Sequence, residues 1–418
     1  MLKTTLIYLI SNTLNGIAPF LLLPILTSYL SPQEFGKIAI FETLLLGLAG
    51  VVGVNSIGAS VRRYYDESNS DISNYNGACF IILVISTIPL VIFVSLFDEF
   101  TSRVIGISVE WILLCILSAF LTYITLFRLS QWQIRNMAIK YGMFQVGRTL
   151  LNFAITILLI VYLNNDGSGR VLGYVTSLTL FGLISFVFMF RSELIKFSNL
   201  KKQHFIDILS FGVPLIPHVF GIFLISSVDR FAINSFLGHD DVGIYMSAVQ
   251  FSMGLSIFFN AINKAFVPYL FNVLKENKIE SKKALVVKTY QYYFVLFLIT
   301  VVMYFFSEPL FKIIIDEKFH SASSLVFIIL LGHVFNGMYL MVTNYVFFSK
   351  KTGRLSLITI TTGFLNVWLL FYFIPVMGIL GAALSYCISK LIQFVCTWII
   401  SCYVCPMPWL KFKESKNA

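Results

Sequence analysis

Residues 29–43 read YLSPQEFGKIAIFET, and residues 236–250 read FLGHDDVGIYMSAVQ. Each is a short polar turn leading into an apolar run. Leu30 and Leu237 stand 207 residues apart, as do Gly36 and Gly243. A second pair lies further on: RVLGYVTSL (170–178) matches GILGAALSY (378–386), with Gly173 and Gly381 208 residues apart. Asn152 and Asn366 are separated by 214. The offset changes because the first half carries an extra polar loop, NNDGSG (164–169). These matches fall in order and at equivalent places, so the chain reads as one plan written twice.

The plan is a membrane-spanning one. Hydrophobic residues make up 58% of the 418, only 12% are charged, and the mean hydropathy is +0.85. Soluble domains carry about a quarter charged residues. A bilayer core about 30 Å thick needs roughly 20 apolar residues per helix. Twelve such spans are predicted, over 5–29, 36–60, 76–97, 108–129, 142–163, 170–190, 209–236, 242–270, 285–306, 321–348, 355–375 and 378–403. Of 30 lysines and arginines, 22 fall on the side holding both termini and the even-numbered loops. Six fall opposite, and Lys264 and Lys390 lie within spans. Cations concentrate on the cytoplasmic side of membrane proteins, so both termini are expected in the cytoplasm. The net charge of +10 therefore reflects cytoplasmic loops, and no nucleic-acid partner is implied. The N-terminal run is too long for a cleaved signal and contains Asn12 and Asn15. It reads as the first permanent span.

The expected fold is an all-α polytopic membrane protein, with about twelve transmembrane helices in two parallel six-helix bundles around a central cleft. Residues 1–190 form the N-terminal bundle, 206–403 the C-terminal bundle, and 404–418 a basic cytoplasmic tail. The connection 191–205, RSELIKFSNLKKQHF, suits either an interfacial linker helix or a plain solvated loop. Six is even, so both halves enter from the same side and are related about the membrane normal. Repeats of this kind place a substrate site at their interface. Pro19, Pro24, Pro214 and Pro217, with Gly47, Gly50, Gly53 and Gly58, are placed to kink spans or allow close packing.

Most enzymatic classes are excluded by what is missing. There is no phosphate-binding GxxxxGK[ST] loop, no GxSxG and no HExxH, and the five histidines are scattered. The six cysteines lie in or beside spans; Cys402 and Cys405 have CxxC spacing but no partner pair. No metal, cofactor or catalytic residue is expected, and the chain does not read as an enzyme.

Charges inside spans are the candidate functional residues, because each costs roughly 2.5–3.5 kcal/mol on insertion scales. Lys390 falls near the midplane of the last span. Lys264 and Arg148 fall in the cytoplasmic thirds of theirs, where they either bind substrate or reach to headgroups. Glu42, Asp229 and Arg230 share a depth on the opposite side. A Glu42–Arg230 or an Asp229–Arg230 pair would offset part of the burial cost, and such a pair between the second and seventh spans is a candidate gate and ion-coupling device. His218 and His333 read as interhelical hydrogen-bonding groups. Cations at mid-depth and carboxylates at one end favour anionic cargo arriving from the cytoplasm.

The stretches NTLNGIAPFLLLPILTSYLSPQEFGKIAIFET (12–43), SFGVPLIPHVFGIFLISSVDRFAINSFLG (210–238) and the basic QWQIRNMAIKYG (131–142) resemble the O-antigen flippases (Wzx type). These belong to the polysaccharide-transporter family of the multidrug/oligosaccharidyl-lipid/polysaccharide exporter superfamily. The resemblance extends over essentially the whole chain and implies a MATE-like architecture. It also implies a substrate, an oligosaccharide repeat unit on undecaprenyl pyrophosphate, moved from the cytoplasmic to the periplasmic leaflet of the bacterial inner membrane by alternating access. Membrane lipid, a polysaccharide polymerase and a chain-length regulator are the further partners it implies. The alternatives are a multidrug/cation antiporter of the same superfamily, which would want a carboxylate deep in the cleft, and a membrane polysaccharide polymerase, which would want a large periplasmic loop.

Overall fold

The computed structural model describes residues 2–65, 71–276, 278–349 and 351–409. The tail lysines 411, 413 and 416 lie outside them. Among the described residues sixteen α-helices run in order: α1 Leu2–Tyr29, α2 Pro32–Leu48, α3 Ser56–Tyr64, α4 Ile72–Leu96, α5 Asp98–Ile105, α6 Val109–Ile134, α7 Ala138–Ile157 and α8 Gly167–Arg191. After these come α9 Lys202–Gly212, α10 Ile216–Ser226, α11 Asp229–Leu237, α12 His239–Glu276, α13 Ile279–Ile314, α14 Ser323–Phe348, α15 Thr352–Met377 and α16 Ile379–Val404. Among the described residues there is no strand.

Eleven of the helical segments are long and apolar enough to cross a membrane. They coincide with every expected span except the second. That span, expected unbroken over 36–60, is two helices, α2 and α3, separated by turns at 49–55. Gly53, Val54 and Asn55 all take left-handed backbone angles (φ 75°, 48° and 50°). A β-branched residue there is strained, and the break is held from outside: Ser86 Oγ accepts the Gly53 N–H at 2.9 Å. The seventh span is likewise divided among α9, a 3-10 turn at Val213–Leu215, α10 and α11. Pro214 occupies that turn, where a missing N–H ends one helix and starts the next. The 191–205 connection forms no linker helix of its own. Residues 192–201 are turns and bends, and Lys196 donates its backbone N–H to Ser73 O at 3.0 Å.

The start of α2 shows how the opening motif works. Ser31 caps the helix and Pro32 occupies its first turn, while Glu34 Oε2 accepts from both Ser31 N and Ser31 Oγ at 2.8 Å. This reciprocal cap satisfies donors that the helix end would leave bare. Four residues into the helix, Gly36 packs so tightly that a Cβ would lie 1.9 Å from His239 O. Its repeat partner Gly243 is in the mirror situation, its Cβ 1.9 Å from Pro32 O. Position 32 is to 36 as 239 is to 243. The contact is reciprocal, each glycine meeting the carbonyl four residues before the other.

The chain divides into two compact units, Met1–Phe223 with Ile233–Gly243, and Leu224–Ala232 with Ile244–Ala418. Each buries serines, threonines and asparagines beside its apolar residues. In the first unit Ser60 donates to Asn76 Oδ1 at 2.6 Å and accepts from Gln131 at 2.9 Å. In the second, Asn344 donates to Asn263 at 2.7 Å. Large apolar side chains also cover the outer surface: on α13, Phe294, Phe297, Phe305 and Phe306 are each more than half exposed. Small polar groups bonded between helices, with large apolar groups exposed on the outer face, is the pattern of helices packed in lipid.

Candidate functional site

In the first unit the embedded charges meet across α2, α7 and α8. Arg170, three residues into α8, is 7% exposed. Its Nη2 lies 3.4 Å from Glu42 Oε1 on α2, and its Nη1 donates to Asn152 Oδ1 on α7 at 3.2 Å. One turn before Asn152, Arg148 donates to Thr125 Oγ1 on α6 at 3.3 Å. Tyr174 lies within electrostatic reach of Arg148, Glu42 and Arg170, and its ring meets Phe41 edge-on at 6.5 Å. Glu42 thus pairs with Arg170, while Arg148, one helical turn before Asn152, is held by a neutral hydroxyl.

The second unit has a parallel set. Asp229 Oδ1 accepts the Arg230 backbone N–H and the Arg230 Nη1, both at 3.0 Å, and its Oδ2 accepts the Tyr245 hydroxyl at 2.6 Å. Arg230 Nη1 also donates to Ser226 O. Its Nε finds no hydrogen-bond partner among the described residues. Lys390 on α16 is 7% exposed. Its Nζ donates to Asn336 Oδ1 at 3.2 Å and Gln393 Oε1 at 3.4 Å, and lies 5.8 Å from the Tyr386 ring centre. The Tyr386 hydroxyl hydrogen-bonds His333 Nδ1 at 3.1 Å. Among the described residues no carboxylate pairs with Lys390. Two amide oxygens accept from it, and neither carries a charge that would cancel its own.

The expected positions are therefore distributed as follows. Lys390 is buried. Arg148 is half-buried and anchored between helices, while Lys264 is exposed on α12. Of the two ion pairs considered, Asp229–Arg230 forms. Glu42 takes Arg170 as its partner in place of Arg230, so each carboxylate is paired within its own unit, and the Glu42 pair joins the second and sixth spans rather than the second and seventh. The physical reason is that Arg170 is itself buried and needs a counter-charge. Sequence reasoning counted it as a loop cation. Its place inside the sixth span, level with Glu42, was the available signal. Asn336 and Gln393 were missed too, although Gln393 follows Lys390 by three residues and so shares its helix face.

These contacts bear on what cargo each unit can meet. Both embedded carboxylates are already bonded to arginines, whereas Lys390 and Arg148 are held by neutral groups. Among the described residues, no carboxylate pairs with either of them.

Comparison with known proteins places this arrangement in a class. The structure resembles a multidrug resistance MATE family transporter of the MOP superfamily, in its inward-facing conformation, with a TM-score of 0.76 at 15% identity, covering 92% of this chain and 93% of that one. The outward-facing conformation of a MATE family transporter matches with a TM-score of 0.64 at 15% identity, covering 96% and 93%. The fold is that of the MATE transporters. Residues 1–274 match the family of polysaccharide biosynthesis proteins, and the chain belongs to this family, as the sequence resemblance anticipated. Two relatives from Haemophilus influenzae cover it nearly end to end: an uncharacterised membrane protein, 27% identical, and protein 1 of the Lsg locus, 25% identical. In each case the match spans 91% of this chain and 94% of the relative.

Proposed function

We propose that this protein is a flippase that carries undecaprenyl-pyrophosphate-linked O-antigen repeat units from the cytoplasmic to the periplasmic leaflet of the bacterial inner membrane, by alternating access and with both termini in the cytoplasm. Polysaccharide polymerase and chain-length regulator proteins would take over the product. Membership of the polysaccharide biosynthesis family and the MATE fold support a membrane carrier in this process. Burying an unpaired sugar hydroxyl in hydrocarbon costs several kcal/mol, so such a headgroup needs a polar route. The observation that carries the choice of an anionic cargo is Lys390, a buried cation held by Asn336 and Gln393 with no carboxylate paired to it. A carrier of lipophilic cations would need a carboxylate at such a place, and both embedded carboxylates here are bonded to arginines.

The reading assigns Lys390, with Lys264 and Arg148, to the pyrophosphate or to acidic sugars. Glu42, Asp229 and Arg230 remain the candidates for gating and ion coupling. The test is transfer of a labelled undecaprenyl-pyrophosphate oligosaccharide across vesicles holding the purified protein, with surface polysaccharide scored in cells. Lys390→Ala is expected to reduce both by about ten-fold or more, as loss of a buried charge contact implies, at normal protein level, and Lys390→Arg to keep part. Full transfer by Lys390→Ala removes Lys390 from the mechanism, and no transfer by the unaltered protein overturns the function.

A further inference from the structure

The first unit contains a cavity of about 530 Å³ at the end remote from its cation-rich loops, built by the starts of α2, α6 and α8 and by α5. Its volume lies within the range of small-molecule sites, about 300–1,000 Å³. Trp111 supplies an aromatic wall, and its ring is fixed edge-on against Phe41 with centroids 6.2 Å apart. Lys37 and Arg103 supply cations, and three serines supply hydroxyls.

Two carboxylates also line the cavity, and both are engaged. Glu34 Oε2 holds the Ser31 cap of α2. Asp166 Oδ1 accepts the Ser168 N–H at 2.9 Å at the start of α8. The hydrogen bonds from Ser168 and the nearby charge of Lys37 hold the Asp166 carboxyl below its usual range, so it stays ionised and fixed as a cap. Arg103 forms no ion pair among the described residues. The cavity lining thus combines an indole, a guanidinium and an ammonium.

We propose that this cavity is a binding site for a short acidic saccharide, with a pyranose face stacked on Trp111 and the sugar carboxylate bonded to Arg103 and Lys37. An indole offers a large apolar face with a polar edge, which suits the alternation of C–H and hydroxyl groups on a sugar ring. Guanidinium–carboxylate pairs form two parallel hydrogen bonds. The site is separate from the embedded charges assigned above to transport. On the orientation proposed for this chain it faces the periplasm, where it would hold the sugar headgroup after crossing.

The experiment is calorimetric titration of the full-length protein in detergent with a hexuronate-containing disaccharide, its carboxyl-reduced neutral form, and inorganic phosphate. Both faces are open in detergent, so failure of the flippase reading or of the orientation leaves this test intact. Saturable binding of the acidic disaccharide is expected, weakened about ten-fold or more (about 1.4 kcal/mol) by reduction of its carboxyl, by Trp111→Ala and by Arg103→Gln. Arg103 is exposed, so its variant reads binding without disturbing the fold. No binding, equal binding of the neutral form, or competition by phosphate with no effect of Trp111→Ala would each overturn the proposal.

Discussion

Gly36 and Gly243 show how much one hydrogen atom in place of a side chain can decide. Each faces a backbone carbonyl oxygen that a Cβ would approach to 1.9 Å, and backbone cannot swing aside as a side chain can. Overpacking a tight interior costs about 1–3 kcal/mol, occasionally more. Gly36→Ala is therefore expected to lower the thermal midpoint of the detergent-solubilised protein sharply, or to prevent its accumulation. Gly254 is the internal control. A Cβ there would meet nothing within 4 Å, and replacing a helical glycine by alanine stabilises by about 0.5–1 kcal/mol. A Gly36→Ala variant as stable as Gly254→Ala would mean that the reciprocal contact is absent. The glycine pair was legible in the sequence as a repeat. Its purpose was not, because spacing along a chain says nothing about which carbonyl lies opposite.

At the scale of elements, the connection between the halves is secured by hydrogen bonds and charge rather than by helix formation. Lys201 Nζ lies 3.0 Å and His204 Nε2 3.3 Å from Asp71 Oδ2 at the start of α4, and Asn199 N–H donates to Asn74 Oδ1 at 3.2 Å. Hydrogen bonds from Asn74 and Lys201 hold the Asp71 carboxyl below its ordinary value of 3.8. A carboxyl depressed in the folded state contributes stability that is fully present above its unfolded pKa and is lost as pH falls through the folded one. Hydrogen-exchange protection of residues 192–204, corrected for intrinsic rate, should decline as pH falls below about 3.8. Asp71→Asn should show the reduced protection at every pH. Equal protection at pH 6 in the variant and the unaltered chain would show that Asp71 does not hold the segment. The basic composition of 191–205 left a linker helix and a solvated loop both open. The choice fell to partners more than a hundred residues away, Asp71, Ser73 and Asn74.

For the whole molecule, the asymmetry of lysines and arginines sets the expected orientation. Reporter fusions after Lys202, after Lys278 and at the C-terminus should report cytoplasm, and those near Asp166, His239 and Glu317 the opposite compartment. A C-terminus on the same side as Asp166 would contradict an even number of spans. Eleven of the twelve expected spans, and their order, were readable from the sequence, because the bilayer imposes one requirement on every segment: enough consecutive apolar residues, with all backbone groups bonded within the helix. The breaks were less readable. Helix continuity through 49–55 depends on what packs against Gly53, and Pro214 could equally have been absorbed as a kink.

By itself, then, the sequence determined the membrane-spanning class, the approximate spans, the duplication and the presence of charges that do not belong in lipid, since all of these follow from local composition and periodicity. Only the tertiary structure decided the partners. Glu42 turned out to hold Arg170, Lys390 to rest on two amides, and Trp111 to share a cavity with Lys37 and Arg103. A buried charge takes whichever complementary group the packing brings within a few ångströms, and that proximity is a property of helices far apart in the chain.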